Sequence, residues 1–216
     1  MAADVALLDA VTVGAPSGLR LYRWDPPAVS LGRFQADDDV DRAACVRFGM
    51  DVVRRPSGGK ALLHGGDLTY AVAMRRPPGR AGSVRAVYEL IAGALIAGLA
   101  ELGVTAAVAR HDGPGTGPVC FTAQQGADLR VGERKLCGSA QTRTTGAVLQ
   151  HGSILLHRLP VDETDLLVPP GDRDALRAVT VTLEELGAPT DPSVVAGALV
   201  EGFRRSLDVE FSPSPR

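Results

Sequence analysis

The sequence contains few cysteines and no metal-ligand pattern, and both deficits limit what the protein can be. Only three cysteines occur in 216 residues, and no two of them form a Cys-x-x-Cys pair. Scattered cysteines in an odd number favour free thiols in a reducing cytoplasm over a disulfide framework. The three cysteines and four histidines show no ligand spacing, so we predict no metal site and no cofactor.

Excess charge and long apolar runs are also missing. A formal net charge of −2 argues against nucleic acid as a main partner. The most apolar helical segment, Ala92 to Leu102, is too short to span a bilayer and contains Glu101. The first residues carry Asp4 and Asp9 and no basic cluster, unlike a signal peptide. We therefore expect a globular cytoplasmic protein that binds neither nucleic acid nor membrane.

Glycine is abundant, and one glycine pair stands beside two arginines. Gly58 and Gly59 let backbone N–H groups approach a ligand because no Cβ intervenes. Arg54 and Arg55 supply fixed positive charge for a carboxylate, a phosphate or a polarised carbonyl. Two interpretations stay open: a small-molecule site, or an ordinary hairpin that turns at Ser57 and the glycines.

A second block, Gly132 to Leu156, mixes strand-forming apolar residues with small and polar ones. Strands that only need to pack seldom carry residues such as Gly138, Ser139, Gln141 and Gln150. Small residues within a strand indicate that another group approaches the backbone closely. This block therefore favours a binding site over a purely structural meander.

Hydrophobic spacing and capping residues predict interleaved helices and strands without a regular βαβ rhythm. The predicted helices cover residues 4–11, 37–48, 84–102, 172–178, 182–186 and 192–207. The predicted strands cover residues 19–24, 28–31, 50–53, 60–73, 104–109, 128–131, 135–141 and 148–156. The inward residues expected in the second helix are Val40, Ala43, Ala44 and Val46. We expect one α+β domain over residues 1–216, with helices flanking a mixed or largely antiparallel sheet.

Cys120 is the candidate nucleophile because it follows a loop rich in glycine and proline. A thiol in such a loop, near cationic side chains, can hold a thiolate and attack a carbonyl. Cys45 on the predicted helix and Cys137 within a predicted strand are better explained as packing residues. The alternative for Cys120 is likewise an unreactive buried thiol.

Lys135 is the best cationic partner for that thiol. Its alternative is an exposed hairpin lysine beside Glu133 and Arg134. His64 and His151 are candidate proton carriers or ligand contacts, although a single histidine often serves structure alone.

Four motifs, taken in order, resemble the biotin/lipoate protein ligase superfamily. They are Tyr22-Arg23-Trp24-Asp25-Pro26-Pro27 with Ser30-Leu31-Gly32-Arg33-Phe34-Gln35; Arg54-Arg55-Pro56-Ser57-Gly58-Gly59 with His64 and Leu68-Thr69-Tyr70; Lys135 with Gly138-Ser139-Ala140-Gln141; and Leu149-Gln150-His151-Gly152-Ser153-Ile154-Leu155. The resemblance runs from Leu19 to about Phe211. It implies the fold shared by biotin synthetases and class II aminoacyl-tRNA synthetases.

Within the superfamily the chain is most similar to cysteine-dependent octanoyltransferases, which carry a Cys-Phe where Cys120-Phe121 stands here. The resemblance implies transfer of octanoyl from acyl carrier protein to a lysine of a lipoyl domain, such as the glycine-cleavage H protein. It makes Cys120 the acyl carrier and Lys135 the group that stabilises the thiolate or oxyanion. The implied substrate-binding residues are Arg54, Arg55, Ser57, Gly58, Gly59, His64, Gly138, Ser139, His151 and Gly152.

Other activities remain possible within and outside this group. An ATP-dependent lipoate–protein ligase would need Mg²⁺ and usually an extra C-terminal domain, whereas only a short segment follows Leu156. A split ligase would carry that domain on a separate partner chain. Lys60 replaces a third glycine found in ATP-using ligases, which favours transfer without adenylation. A non-catalytic module that binds acyl carriers or lipoyl domains is a third possibility. A biotin–protein ligase is disfavoured because those enzymes carry a Gly-Arg-Gly-Arg type of block.

Overall fold

Two β-sheets flanked by helices make up the computed structural model, which describes residues 1–109 and 128–212. The helices are α1 (Ala2–Thr12), α2 (Arg42–Arg47), α3 (Val84–Glu101), α4 (Arg173–Val179) and α5 (Pro192–Leu207). The strands are β1 (Gly18–Tyr22), β2 (Ala28–Leu31), β3 (Asp51–Arg54), β4 (Leu62–His64), β5 (Asp67–Arg75), β6 (Ala107–Val108), β7 (Leu129–Val131), β8 (Arg134–Arg143) and β9 (Ala147–Leu155). The predicted α+β class is confirmed.

The larger sheet has six strands in the order β1-β5-β9-β8-β7-β6, and each neighbouring pair is antiparallel. Alternation along β5 buries Tyr70 and Val72 in the main core with α3 and α5, and Ala71 and Ala73 in a smaller core with α1. The strands predicted over residues 128–156 form the β7-β8-β9 meander, as expected. Helices therefore cover both faces of this sheet.

The smaller sheet has the order β3-β2-β4, with β2 parallel to β3 and antiparallel to β4. The strands on either side of the glycine pair are β3 and β4, and both pair with β2 instead of with each other. The hairpin interpretation of the glycine turn is therefore wrong. The chain from Arg55 to Ala61 crosses the end of β2.

The predicted strand over residues 60–73 is wrong as a single element, because the chain changes sheets in its middle. β4 belongs to the smaller sheet and β5 to the larger one. Between them Gly65 adopts a positive φ of 130°, and its N–H donates to the Asp67 carboxylate at 2.9 Å. The strong apolar character of both halves concealed this turn in the sequence.

The predicted helix over residues 37–48 is also corrected. Only Arg42–Arg47 is α-helical, because Val40 is extended and bridges to Leu167 and Asp41 then caps the helix. The buried residues of this segment are Val40, Ala44 and Cys45. Ala43 and Val46 are exposed, so their predicted inward orientation is wrong.

The long helices follow the sequence closely. Ser83 caps α3 by accepting the Ala86 N–H, and Asp191 caps α5 by accepting the N–H groups of Ser193 and Val194. The predicted helix over residues 182–186 is instead a turn. The predicted strand over residues 104–109 is limited to Ala107–Val108. Among residues 1–109 and 128–212, each helix is too short or too polar to cross a membrane.

Candidate active site

A cavity of about 160 Å³ lies where the two sheets meet. Residues from both predicted blocks share its wall. They are Arg55, Gly58, Gly59, His64, Lys135, Gly138, Ser139, His151 and Gly152. Arg54 and Ser57 are near this wall without forming part of it, and Cys120 lies outside the described residues. The fold thus joins segments that are far apart in the chain into one site.

The glycine turn forms one side of the cavity, and Arg55 holds it in place. Arg55 is 5% exposed, and its guanidinium donates to the carbonyls of Gly58 at 3.0 Å, Lys60 at 2.6 Å and Ser30 at 2.8 Å. A Cβ on Gly32 would lie 1.9 Å from the Gly59 carbonyl oxygen, so the turn packs directly against the end of β2. Arg55 therefore shapes the turn as well as placing positive charge beside the cavity.

Arg54 holds a neighbouring loop in place in a similar way. Its Nη1 donates to the carbonyls of Gly32 at 2.6 Å and Gln35 at 2.8 Å, and its Nη2 pairs with Asp37 at 2.8 Å. These contacts fix the loop that follows β2. These contacts of Arg54 are with protein groups, and its predicted role in binding substrate stays a prediction.

His64 is buried at the junction of the sheets. Its Nε2 lies 2.9 Å from the Ser30 hydroxyl, and its Nδ1 lies 3.0 Å from the Asp67 carboxylate. The Trp24 ring stacks on the imidazole with centroids 4.4 Å apart. The ring orientation is therefore set by a carboxylate on one nitrogen and a hydroxyl on the other, as in Ser-His-Asp arrangements.

The Asp67 carboxylate is fully surrounded by donors. Burial raises its pKa, but His64 and hydrogen bonds from the Ser153 hydroxyl and the Gly65 N–H outweigh burial, and the net pKa is lowered. The Thr69 hydroxyl donates to the same carboxylate at 2.8 Å. Asp67 therefore stays ionised and offers His64 a fixed negative charge.

His151 on β9 forms a second chain of polar contacts. Its Nε2 lies 2.5 Å from the hydroxyl of Ser57, and its Nδ1 lies 3.8 Å from the carboxylate of Asp4 in α1. Burial lowers the pKa of His151 and outweighs the opposing influence of Asp4. Asp4 is itself completely buried and also binds Tyr22 at 2.6 Å and the Arg20 guanidinium. A neutral imidazole thus ties the glycine turn to the first helix.

Lys135 is 1% exposed and forms an ion pair with Asp128 at 2.8 Å. The alternative of an exposed hairpin lysine is therefore wrong. Gly132, with φ +59°, turns β7 into β8, and this places Asp128 beside Lys135. A buried ammonium at the cavity wall can stabilise negative charge that develops there, because the local dielectric is low.

The polar residues of the strands form a hydrogen-bonded ladder across the larger sheet. Gln141 donates to Gln150 at 2.8 Å, and Gln150 donates to the Tyr70 hydroxyl at 2.9 Å. That hydroxyl lies 2.7 Å from the Ser139 hydroxyl at the cavity. Gly152 permits this arrangement, since a Cβ there would lie 2.6 Å from the Tyr70 ring. The small residues in these strands predicted that another group approaches the backbone closely. At Gly152 that group is the Tyr70 ring of the protein itself.

Two of the three cysteines are buried, and their thiols are poor nucleophiles. Burial raises the pKa of Cys137 to about 12, with a further contribution from Asp128. Burial also raises the pKa of Cys45 in α2. Both thiols are therefore packing residues, as the sequence indicates.

Several functional neighbours were not predicted as site residues. Asp4, Asp67 and Asp128 hold His151, His64 and Lys135, respectively. Asp128 could have been found from the turn at Gly132, which makes β7 and β8 a hairpin. Asp4 shares an i, i+4, i+7 face with Leu8 and Val11, so its burial could also have been predicted from the helical spacing.

Comparison with known proteins places the chain in a family. The chain is 41% identical over 230 residues to the octanoyltransferase LipM of Kyrpidia tusciae, covering 99% of this chain and 84% of that protein. It is 40% identical over 229 residues to the octanoyltransferase LipM of Symbiobacterium thermophilum, covering 99% and 83%.

A crystal structure of lipoate-protein ligase A bound with ATP shares the fold. Its TM-score is 0.82 at 24% identity, covering 98% of this chain and 81% of that chain. Residues 1–187 match the family described as lipoyl protein ligase A/B catalytic domain. The resemblance predicted from the four motifs is therefore confirmed, and the chain belongs to the lipoyl protein ligase A/B catalytic domain family.

Proposed function

We propose that this protein is an octanoyltransferase that acts through a thioester on Cys120. It moves octanoyl from acyl carrier protein to a lysine of a lipoyl domain, such as the glycine-cleavage H protein, in lipoate biosynthesis. One observation carries the proposal: both motif blocks converge on one cavity whose wall contains the buried Lys135. The names of the two relatives support the octanoyl group as the cargo.

Elimination supports Cys120 as the nucleophile. Cys45 and Cys137 are buried with raised pKa values, so neither supplies a thiolate near neutral pH. Cys120 is the remaining cysteine, and it precedes the ion-paired Asp128 by only a short stretch of sequence. A reaction that depends on a free thiol suits the reducing cytoplasm, where we place the protein.

Two exchanges complete the reaction. The Cys120 thiolate attacks the thioester carbonyl of the acylated carrier, and the carbon–sulfur bond to the carrier breaks, releasing the carrier thiolate, which takes a proton. A neutral lysine amine of the acceptor then attacks the acyl-enzyme, the Cys120 thiolate leaves, and an amide forms as the amine loses a proton. Thioester exchange is nearly isoenergetic and amide formation is downhill, so ATP is not consumed.

The described residues supply charge and proton acceptance for these steps. Lys135, held by Asp128, stabilises the thiolate and the tetrahedral oxyanion. Burial lowers the pKa of His151, which keeps that imidazole neutral and able to accept a proton. His64, oriented by Asp67, is the second candidate for receiving the proton of the acceptor amine.

Transfer without nucleotide is the central test. The purified chain is incubated with octanoyl carrier protein and apo H protein, and the acceptor mass is followed with and without ATP and Mg²⁺. We expect octanoylation without nucleotide and an octanoyl adduct of about 126 Da on wild-type enzyme. Cys120→Ala is expected to lose both the adduct and the transfer.

The other cysteines provide matched controls. Cys45→Ala and Cys137→Ala remove packing thiols and are expected to retain the adduct. Strict dependence on ATP would identify a ligase instead, and an unmodified acceptor under all conditions would leave only a binding module. A full adduct on Cys120→Ala would reject Cys120 as the carrier.

A further inference from the structure

A basic segment runs from the end of β5 into the first turn of α3. Residues 75–85, named here the arginine segment, carry Arg75, Arg76, Arg80 and Arg85, and the next acidic residue is Glu89. All four arginines are exposed. Arg85 pairs with Glu89 at 2.7 Å, whereas the other three form no ion pair with the described residues. The segment is therefore locally basic, although the net charge of the chain is −2.

The arginine segment is connected to the cavity by direct contacts. Gln141 lines the cavity and accepts a hydrogen bond from Arg143 at 2.7 Å. Arg143 also donates to the Gly82 carbonyl at 2.8 Å, within the arginine segment. Tyr88, on the first turns of α3, lines the cavity as well. The segment is therefore part of the rim of the site.

Positive charge accumulates at this rim, where Arg75, Arg76 and Arg80 form no ion pair with a residue that the structure describes. Burial and the neighbouring Arg76 guanidinium lower the pKa of Arg143. Arg76 is anchored by its backbone N–H, which donates to the Gly146 carbonyl at 2.9 Å. Fixed like charges repel each other, and an anionic partner would relieve that repulsion while gaining affinity. The exposed Val84, 52% accessible, adds an apolar contact at the same place.

We propose that the arginine segment docks the acyl donor, an acidic carrier domain that presents its acyl chain on a phosphodiester-linked arm. This inference rests on the proposed octanoyl transfer and names the surface that selects the donor. The acidic domain faces Arg76 and Arg80, and the phosphodiester passes the rim where Arg143 lies. The basic rim is complementary in charge to an acidic carrier domain and to its phosphodiester, so the donor is the partner that this surface fits.

Charge reversal at the rim tests the docking surface. Arg80→Glu and Arg76→Glu are compared with wild type in acyl-enzyme formation from octanoyl carrier protein and from uncharged octanoyl-pantetheine. We expect the carrier concentration at half-saturation to rise about tenfold, while the pantetheine rate stays within about twofold. Binding of unacylated holo carrier protein, measured by fluorescence anisotropy, should weaken equally. Added salt should weaken wild-type binding more than variant binding.

Arg47→Glu is the matched control. Arg47 in α2 is exposed, and its substitution makes the same charge change away from the rim. It should behave as wild type. Unchanged carrier binding in both rim variants would overturn the docking surface, as would equal losses with both donors. A changed half-saturation for the acceptor alone would assign the surface to the other partner. A wild-type enzyme that transfers from neither donor would instead contradict the proposed function.

Discussion

A single buried carboxylate faces each of three basic side chains of this site. Asp67 orients His64, Asp128 pairs with Lys135, and Asp4 faces His151 from the first helix. Each is below 3% exposed, so solvent screens these charges weakly. A buried negative charge beside each of these three groups fixes its orientation before any substrate arrives.

Asp4→Asn tests whether the first helix positions His151. The neutral ring is expected to keep its proton on Nδ1, toward Asp4, and to accept the Ser57 hydroxyl at Nε2. Removing the carboxylate that raises the pKa of His151 should lower that pKa further and shift the ring toward the other tautomer. Nitrogen-15 NMR of the imidazole measures both quantities, and octanoyl transfer should fall by about tenfold.

Asp9→Asn serves as the control, because Asp9 lies on the exposed side of the same helix. It should leave the tautomer, the pKa and the transfer rate at wild-type values. An unaltered His151 spectrum in Asp4→Asn would show that the first helix does not position the ring.

At the scale of elements, the close crossing of α3 and α5 closes the main core. A Cβ on Gly98 would lie 2.7 Å from the Leu199 Cα, and one on Gly202 would lie 2.3 Å from the Gly98 nitrogen. The two glycines therefore let the helix backbones touch. Because α3 also carries Tyr88 and adjoins the arginine segment, this crossing sets the position of the cavity rim.

Gly98→Ala and Gly202→Ala should each destabilise the protein, although alanine favours a helix. Backbone must move to admit either methyl group, which costs about 1–3 kcal/mol. Gly93→Ala and Gly197→Ala are matched controls on the same two helices, where a Cβ meets open space. These should stabilise by up to about 1 kcal/mol. Urea denaturation measures all four, and equal effects for the two pairs would contradict the close crossing.

At the scale of the whole molecule, one acid links β4 to the C-terminal part of the chain. Glu163 follows the last long strand of the larger sheet, and its Oε2 accepts the Leu63 N–H at 3.2 Å. No residue in the described part of the chain forms a hydrogen bond with its Oε1. Burial raises the pKa of Glu163 to about 7. The folded chain therefore holds this proton where the unfolded chain releases it.

Global stability should consequently depend on the protonation of Glu163. Below the ordinary pKa of 4.5 the group is neutral in both states, so it imposes no penalty. Between that value and about 7 the contribution of Glu163 to the free energy of unfolding falls as pH rises, by as much as about 3 kcal/mol. Above about pH 7 this contribution stays low. Glu163→Gln should remove this slope and be more stable than wild type at pH 8, with the difference vanishing near pH 4.

Urea denaturation of both proteins between pH 4 and pH 8 makes the comparison. Glu184→Gln is the control, because Glu184 is exposed in the neighbouring turn. It should follow the wild-type curve throughout. Parallel curves for wild type and Glu163→Gln would show that Glu163 is not held protonated in the fold.

Local signals predicted the elements whose boundaries are set by nearby residues. Asp191 before Pro192 begins α5 where expected, and Ser83 begins α3. Predictions failed where a distant partner decided the outcome. Val40 is extended because it bridges to Leu167, far along the chain. The strand over residues 60–73 divides because its halves meet different sheets.

The amino-acid sequence by itself determined the helix caps, the alternation of the meander strands and the family motifs, because these depend on neighbours within a few residues. Tertiary structure alone decided that Lys135 is buried against Asp128, that His151 lies between Ser57 and Asp4, and that the glycine turn crosses a sheet. The physical reason is that burial and charge pairing depend on side chains brought together from distant parts of the chain.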